Sequence, residues 1–175
     1  MALKEFESDY TNDTYTRGEF LKLIEKRIRK ELRTQNLISL DKNYVVIDDG
    51  RVSSKLVVNF LESIFGGRLK LIVLDNEENI IEDSIVLSSD CLDEYVSKRL
   101  EVFFNQGDVS LLLQKKIMPL KVITKKEIEQ LAKILSLEGK LPEADNKFIK
   151  ALQDQYPQTK ASLVKSFDYI TSLNN

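Results

Sequence analysis

Apolar residues along the chain follow two patterns, one typical of helices and one typical of buried strands. A helix that buries one face is predicted from Glu19 onward by apolar residues at every fourth position: Phe20, Ile24, Ile28 and Leu32. Three short apolar runs, rich in Val, Ile and Leu, predict strands: 43–48, 68–75 and 84–89. The two patterns alternate, which is typical of α/β proteins.

The connections between these elements are short. Residues 53–65 predict a helix with Ser53 as its N-cap and the Gly66–Gly67 pair as its end. A strand, a helix and a strand joined in this way form a right-handed crossover and a parallel sheet. The predicted fold is therefore a Rossmann-like, three-layer α/β fold with a small, mainly parallel sheet.

The remainder of the chain predicts further helices. One spans 92–104, one begins at a capping box formed by Thr124 and Glu127, and two more span 144–155 and 158–172. Leu111–Leu113 and Ile117–Val122 are apolar, and Pro119 favours an extended or edge segment. Residues 1–18 lack any period and predict a flexible or loosely packed arm. We therefore expect this arm, then a single domain over 19–175.

Composition narrows the chemistry. The 175 residues include one cysteine and no histidine, which argues against common zinc sites, Ser-His-Asp catalysis and paired disulfides. A formal net charge of −2 means that any nucleic-acid surface must be a local patch. No apolar run reaches the length of a membrane span. We expect a cytoplasmic protein without a cofactor.

The turn between the first strand and the next helix occupies the position where nucleotide-binding α/β proteins hold phosphates. It reads VVIDDGRVSS over residues 45–54, with two adjacent carboxylates, Asp48 and Asp49. Backbone N–H groups and a helix N-terminus favour an anion at such a position. Two carboxylates at the same position repel an anion.

Several segments in sequence order resemble the PP-loop ATPase superfamily, in particular its tRNA 2-thiolation branch. VVIDDGRVSS lies where the family has a strand and SGGxDS. DCLDEYVSKRLEVFFNQGDVSLL is similar to GHNLDDE…NLLRGD, MPLKVITKKEIEQLA to RPLR…KEV, and QYPQTKASLVKSFDYI to YPGTK…S. The basic segment FLKLIEKRIRKELRTQNLI resembles the helix before the family's first strand. The resemblance covers about residues 19–173, discontinuously.

On this alignment the phosphate loop is degenerate. Asp48 and Asp49 replace the first serine and glycine, Gly50 and Ser53 are kept, Arg51 fills the variable place, and Val52 replaces the acidic residue. A carboxylate about 4 Å from a phosphate oxygen costs about 1 kcal/mol in water and about 4 kcal/mol at an effective dielectric near 20. A helix dipole returns only about 0.3–1 kcal/mol. We therefore expect no ATP bound in the family's usual pose.

Two other interpretations of the acidic pair stay open. Asp48 and Asp49 could hold Mg²⁺ against phosphates, which would make the chain a metal-dependent nucleotide-binding enzyme. Alternatively, they are polar turn residues, one of which caps the following helix.

The resemblance also implies losses elsewhere. The family's long segment with a catalytic cysteine is reduced to LDNEENIIEDSIVLSS, and its terminal zinc-binding cysteines are missing. Asp90 and Cys91 stand at the histidine and asparagine places of GHNLDDE, while Asp93 and Glu94 match its acidic residues. We expect Cys91 to be a small buried side chain, not a nucleophile. Together these losses favour a non-catalytic paralogue.

Two basic runs remain as candidate RNA contacts. The first helix carries six cations that could bind RNA phosphates: Lys22, Lys26, Arg27, Arg29, Lys30 and Arg33. A second run comprises Lys115, Lys116, Lys121, Lys125 and Lys126. The plainer alternative for both is a solvated helix face opposite a buried stripe.

The sequence thus favours a non-catalytic PP-loop-like subunit that supports tRNA wobble-uridine 2-thiolation. It would bind a catalytic thiolation subunit, tRNA or both. The alternatives are the metal-dependent enzyme and a homo-oligomeric interaction module.

Overall fold

A computed structural model describes residues 5–9, 13–34, 38–104, 117–143, 149–151, 155–156 and 158–173. The elements follow in this order: β1 (Phe6–Glu7), β2 (Thr14–Tyr15), α1 (Arg17–Thr34), β3 (Asn43–Ile47), α2 (Val52–Phe65), β4 (Lys70–Leu74), β5 (Ile85–Leu87), α3 (Leu92–Phe104), α4 (Lys125–Leu135) and α5 (Thr159–Leu173). The predicted segments 111–113 and Lys115–Lys116, and most of 144–155, lie outside the described residues.

The centre of the fold is a parallel sheet in the order β4-β3-β5. Val45 of β3 is paired with Ile72 of β4 and with Val86 of β5, so the three strands end at the same edge of the sheet. Ile117 adds a single parallel bridge beside Leu87. Helices flank the sheet, and the predicted Rossmann-like α/β fold is confirmed.

Helix α1 buries the stripe that its four-residue period predicts. Phe20, Ile24 and Ile28 are fully buried, and they belong to the main hydrophobic core together with Val46, Leu56 and other residues of β3 and α2. Because side chains four residues apart lie on one helical face, the opposite face of α1 is left to solvent. The sheet and α2 are therefore held beneath a helix whose outer surface is basic.

The N-terminal stretch contains structure that the sequence pattern did not predict. Within it, β1 and β2 pair antiparallel, and the Phe6 ring stacks on Phe20 at a centroid distance of 5.8 Å. Lys126 of α4 donates to Glu7 at 2.8 Å. Two strands of two residues carry no detectable period, and tertiary contacts with α1 and α4 hold them. The described part of residues 1–18 is thus a packed hairpin.

A second apolar cluster joins α3 to α5. It includes Leu92, Tyr95 and Val96 of α3 with Val164 and Phe167 of α5. The Tyr95 and Phe167 rings meet edge-on at 6.4 Å, a favoured aromatic geometry. This cluster fixes the C-terminal helix against the segment that follows β5.

Several predicted helix boundaries hold. Thr124 and Glu127 form the expected capping box at the start of α4, and Gly66 ends α2 in the left-handed conformation with φ of 58°. No helix in the described part of the chain combines the length and apolar character that crossing a membrane requires.

Candidate functional site

The turn at residues 48–51 lies at the edge of the sheet where the parallel strands end. It leaves β3 after Ile47 and enters α2 at Val52. Gly50 has φ of 76°, a conformation that glycine adopts without strain. The position is the one expected of a phosphate loop, so the direction of its backbone N–H groups decides what it can bind.

Three successive N–H groups of this turn donate to oxygens of the chain itself. Gly50 N–H donates to Asp48 Oδ1 at 3.1 Å, and Arg51 N–H donates to Asp49 Oδ1 at 3.1 Å. Val52 N–H donates to the Lys140 carbonyl at 2.9 Å. Donors of this kind bind a pyrophosphate in a working loop. Here the two carboxylates and a carbonyl take that place.

The segment around Gly139 is laid directly against the turn. Lys140 N–H donates to the Gly50 carbonyl at 3.0 Å, and Lys55 Nζ donates to the Glu138 carbonyl at 2.7 Å. A Cβ added at Gly139 would lie 2.7 Å from the Gly50 carbonyl oxygen, too close for any side chain. Glycine is therefore required where this segment crosses the turn.

The Arg51 side chain links the turn to the GHNLDDE-like segment. Its guanidinium binds Asp49, donates to Glu94 at 3.0 Å and to Ser89 Oγ at 2.8 Å, and lies 3.6 Å from Asp90. A planar guanidinium with five donors suits such a cluster of oxygens. The structure thus brings together the two segments that the sequence comparison picked out, with a cation between them.

Helix α2 begins one residue earlier than predicted, and Ser53 is not its N-cap. Arg51 occupies the N-cap position without a side-chain hydrogen bond. Ser53 is fully buried inside the helix, and its hydroxyl has no partner among the described residues. The Lys140 carbonyl accepts from the Val52 N–H, so a distant segment satisfies the first N–H group of the helix.

The two acidic residues behave as turn residues. Asp48 Oδ1 accepts from Gly50 N–H and from Ser54 Oγ at 3.2 Å, while Asp49 binds Arg51. Among the described residues, no three Asp, Glu, Cys or His side chains are grouped so that they could hold a metal ion. The geometry gives the metal-dependent alternative no third protein ligand.

Cys91 is buried, as expected. Its backbone N–H donates to Glu94 Oε2 at 3.0 Å. Burial raises the pKa of the Cys91 thiol far above its ordinary value, and the neighbouring Glu94 and Asp93 charges add to this. Since the thiolate is the reactive form, this thiol is chemically quiet at neutral pH.

The cations of α1 divide into two groups. Five of the six candidates lie within an arc of about 100° on the solvent side and line a groove of about 570 Å³: Lys22, Lys26, Arg29, Lys30 and Arg33. Arg27 differs, because it points inward, binds Ser8 and donates to the buried Glu127 at 2.7 Å. Of the six candidates, only these five face the groove, and Arg29 among them is paired with Glu25.

The second basic run is dispersed. Lys121 is buried and donates to Asp168 at 2.9 Å, with Glu31 at 3.0 Å. Lys126 is paired with Glu7, whereas Lys125 lines a cavity beside α3. The described part of the run therefore forms no continuous basic surface.

The chain is similar in structure to the U34-tRNA thiolase NcsA from Methanococcus maripaludis, solved with its [4Fe-4S] cluster. The TM-score is 0.76 at 13% sequence identity, and the match covers 97% of this chain and 84% of that chain. No protein-family model matches the chain, and no curated protein matches it.

The iron–sulfur cluster of that thiolase does not fit the residues of this chain. Such clusters are held by several cysteine thiolates. This chain has one cysteine and no histidine, and the thiol of Cys91 is buried and held protonated. What the chain shares with this thiolase is therefore its fold.

Proposed function

We propose that this chain is a non-catalytic PP-loop-like protein that supports tRNA wobble-uridine 2-thiolation. It binds tRNA through α1, a catalytic thiolation subunit through a separate surface, or both. It positions the tRNA and carries out no chemistry of its own.

One observation carries the non-catalytic part of the proposal. The N–H groups of Gly50, Arg51 and Val52, which would bind phosphate in a working loop, donate to Asp48, Asp49 and Lys140. A nucleotide phosphate would have to displace these acceptors while approaching two fixed negative charges. Nothing in the turn offers compensation, because the Arg51 guanidinium is already bound by three carboxylates.

The proposed tRNA binding rests on the outer face of α1. Arg29 is paired with Glu25 at 2.6 Å. The other four cations of this face form no ion pair with the residues that the structure describes: Lys22, Lys26, Lys30 and Arg33. Contacts from such cations to phosphates provide affinity without reading sequence. A protein with a net charge of −2 that concentrates five cations on one face of a helix has a local surface suited to RNA.

The proposed protein partner rests on exposed apolar side chains and on an open strand edge. Val73 of β4 is 48% exposed. Ile81, in the shortened segment after β4 where the family carries its longer catalytic part, is 50% exposed. In the described sheet, β4 has a neighbour on one side only. Exposed apolar side chains and an open strand edge both favour association with another protein.

One assay tests the proposed tRNA binding, and a second tests the proposed binding of a thiolation subunit. Filter binding at low salt measures whether the full chain retains tRNA, and affinity purification from its own cell extract measures whether a PP-loop thiolation enzyme is recovered with it. Salt-sensitive tRNA retention or specific recovery of the enzyme supports the proposal. Absence of both results overturns it.

A further inference from the structure

A cavity of about 370 Å³ lies apart from the phosphate-loop position, between α3, the start of α4 and the start of α5. Lysines from three segments line it: Lys125 and Lys126 of α4, Lys150, and Lys160 of α5. Val96 of α3 and Ile149 add an apolar wall. No part of the proposed function uses this cavity.

The lysines of the cavity differ in whether a carboxylate pairs with them. The lining contains three carboxylates, those of Asp9, Asp93 and Glu129, and Lys126 is also paired with Glu7. Asp9 and Asp93 are engaged with Lys126 and Lys160, respectively. Within the described ranges, Lys125 and Lys150 have no ion pair.

A buried carboxylate fixes the position of the Lys160 ammonium group. Asp93 is 7% exposed, and its two oxygens bind Lys160 Nζ and accept from the Lys125 N–H, the latter at 2.6 Å. An ammonium group has three donors, so Lys160 keeps two for a ligand. At the start of α4, the N–H groups of Lys125 and Glu127 are already satisfied by Asp93 and Thr124, respectively. The lysine side chains, not the helix N-terminus, therefore define the site.

We propose that this cavity binds a phosphate group. The ammonium groups of Lys125, Lys150 and Lys160 line it from three segments, and that of Lys160 is held by a buried carboxylate. Such a set of donors suits an anion with several acceptor oxygens. The apolar wall formed by Val96 and Ile149 provides contact for the organic part of the ligand. The phosphate belongs either to an RNA backbone or to a free phosphate compound.

The test uses the full chain and a matched pair of double variants. Lys125→Gln with Lys150→Gln removes the two cations without ion pairs and leaves the Lys160–Asp93 contact intact. Lys133→Gln with Lys165→Gln removes two exposed lysines of α4 and α5 that do not line the cavity, and serves as the control. Thermal melts verify folding, and Lys150→Gln alone replaces the double variant if the latter melts early.

Two readouts separate the sources of phosphate. Titration of inorganic phosphate, followed by amide NMR shifts of Ser97 and Lys125, reports free phosphate. The salt dependence of tRNA affinity reports an RNA phosphate, and its log–log slope falls by about 1 for each lysine lost from a contact.

We expect inorganic phosphate to give saturable shifts in the wild type and the control but not in the Lys125/Lys150 variant, or the variant to show a lower tRNA salt slope than the wild type and the control, or both. Phosphate binding alone assigns a free ligand, and a reduced slope alone assigns RNA. If the Lys125/Lys150 variant matches the control in both readouts, the proposal is overturned. The α1 lysines are untouched, so this failure is distinct from failure of the proposed function.

Discussion

Removing the positive charges on the outer face of α1 is the most specific test of the proposed tRNA binding. Lys22, Lys26 and Lys30 are exposed on this face, and their replacement by Gln keeps helix propensity and chain length nearly unchanged. They span eight residues, or about 12 Å along the helix. That distance allows three separate phosphate contacts.

The magnitude follows from counterion release. Each phosphate contact contributes about 0.7 to 0.9 to the slope of log affinity against log salt, for single-stranded and duplex nucleic acid respectively. At about 0.1 M salt this is about 5- to 8-fold per contact, so three contacts give about 100- to 500-fold. We therefore expect the triple variant to bind tRNA about 100-fold or more weakly than the wild type, with a salt slope lower by about 2 to 3.

Fluorescence anisotropy with labelled tRNA over a series of salt concentrations measures both quantities. A variant with the same change in charge at exposed lysines outside α1, Lys42→Gln, Lys133→Gln and Lys165→Gln, is the control. Equal losses in the two variants would refute the assignment of the RNA surface to α1, because they would report net charge alone.

Three further outcomes test the site and its surroundings. Arg51→Met should lower the free energy of unfolding by about 2 kcal/mol, because Glu94 and Asp49 lose the cation between them; an unchanged urea midpoint would contradict this. Burial raises the pKa of Glu127 above its ordinary value of 4.5 despite the nearby Arg27, so the folded state binds this proton more tightly than the unfolded state. The stability contributed by this difference in pKa is present at low pH and is lost as pH rises through the folded pKa. Denaturation of Glu127→Gln from pH 4 to 7 should lack this loss. An identical dependence of stability on pH in the wild type and the variant would contradict the assignment. Cys91 should resist iodoacetamide in the folded protein and react after unfolding, as followed by mass spectrometry; rapid labelling without denaturant would show that the thiol is accessible.

Local patterns in the sequence predicted those elements whose formation depends on neighbours along the chain. The period of α1 identified Phe20, Ile24 and Ile28 as its buried face, and Thr124 with Glu127 marked the start of α4. These signals arise from helical spacing and from a hydrogen-bond pattern within four residues. They are therefore visible without knowledge of the fold.

Contacts between distant segments were not predictable in the same way. The carbonyl that satisfies the Val52 N–H belongs to Lys140, and nothing at either position marks the pairing. Helical spacing places Arg27 only about 60° from Ile24, at the border of the buried stripe, which warns of an inward contact but does not identify Glu127 as the partner. Lys121 is buried because Asp168 and Glu31 converge on it from two helices.

The candidate site shows the same division. The sequence placed Asp48, Asp49 and Gly50 in a turn after a strand, and it predicted that the acidic pair would oppose a nucleotide. The structure adds the mechanism, since those carboxylates are acceptors for the N–H groups that a phosphate would need. The bridge from Arg51 to Glu94 joins positions 43 residues apart and has no local signature.

Calorimetric titration of Mg·ATP into the full chain tests the central claim most directly. If the turn is filled by its own carboxylates, no saturable heat of binding appears with the wild type. Micromolar binding that is lost on Asp49→Asn would contradict the account, because Asp49 would then hold a metal for nucleotide instead of satisfying the Arg51 N–H.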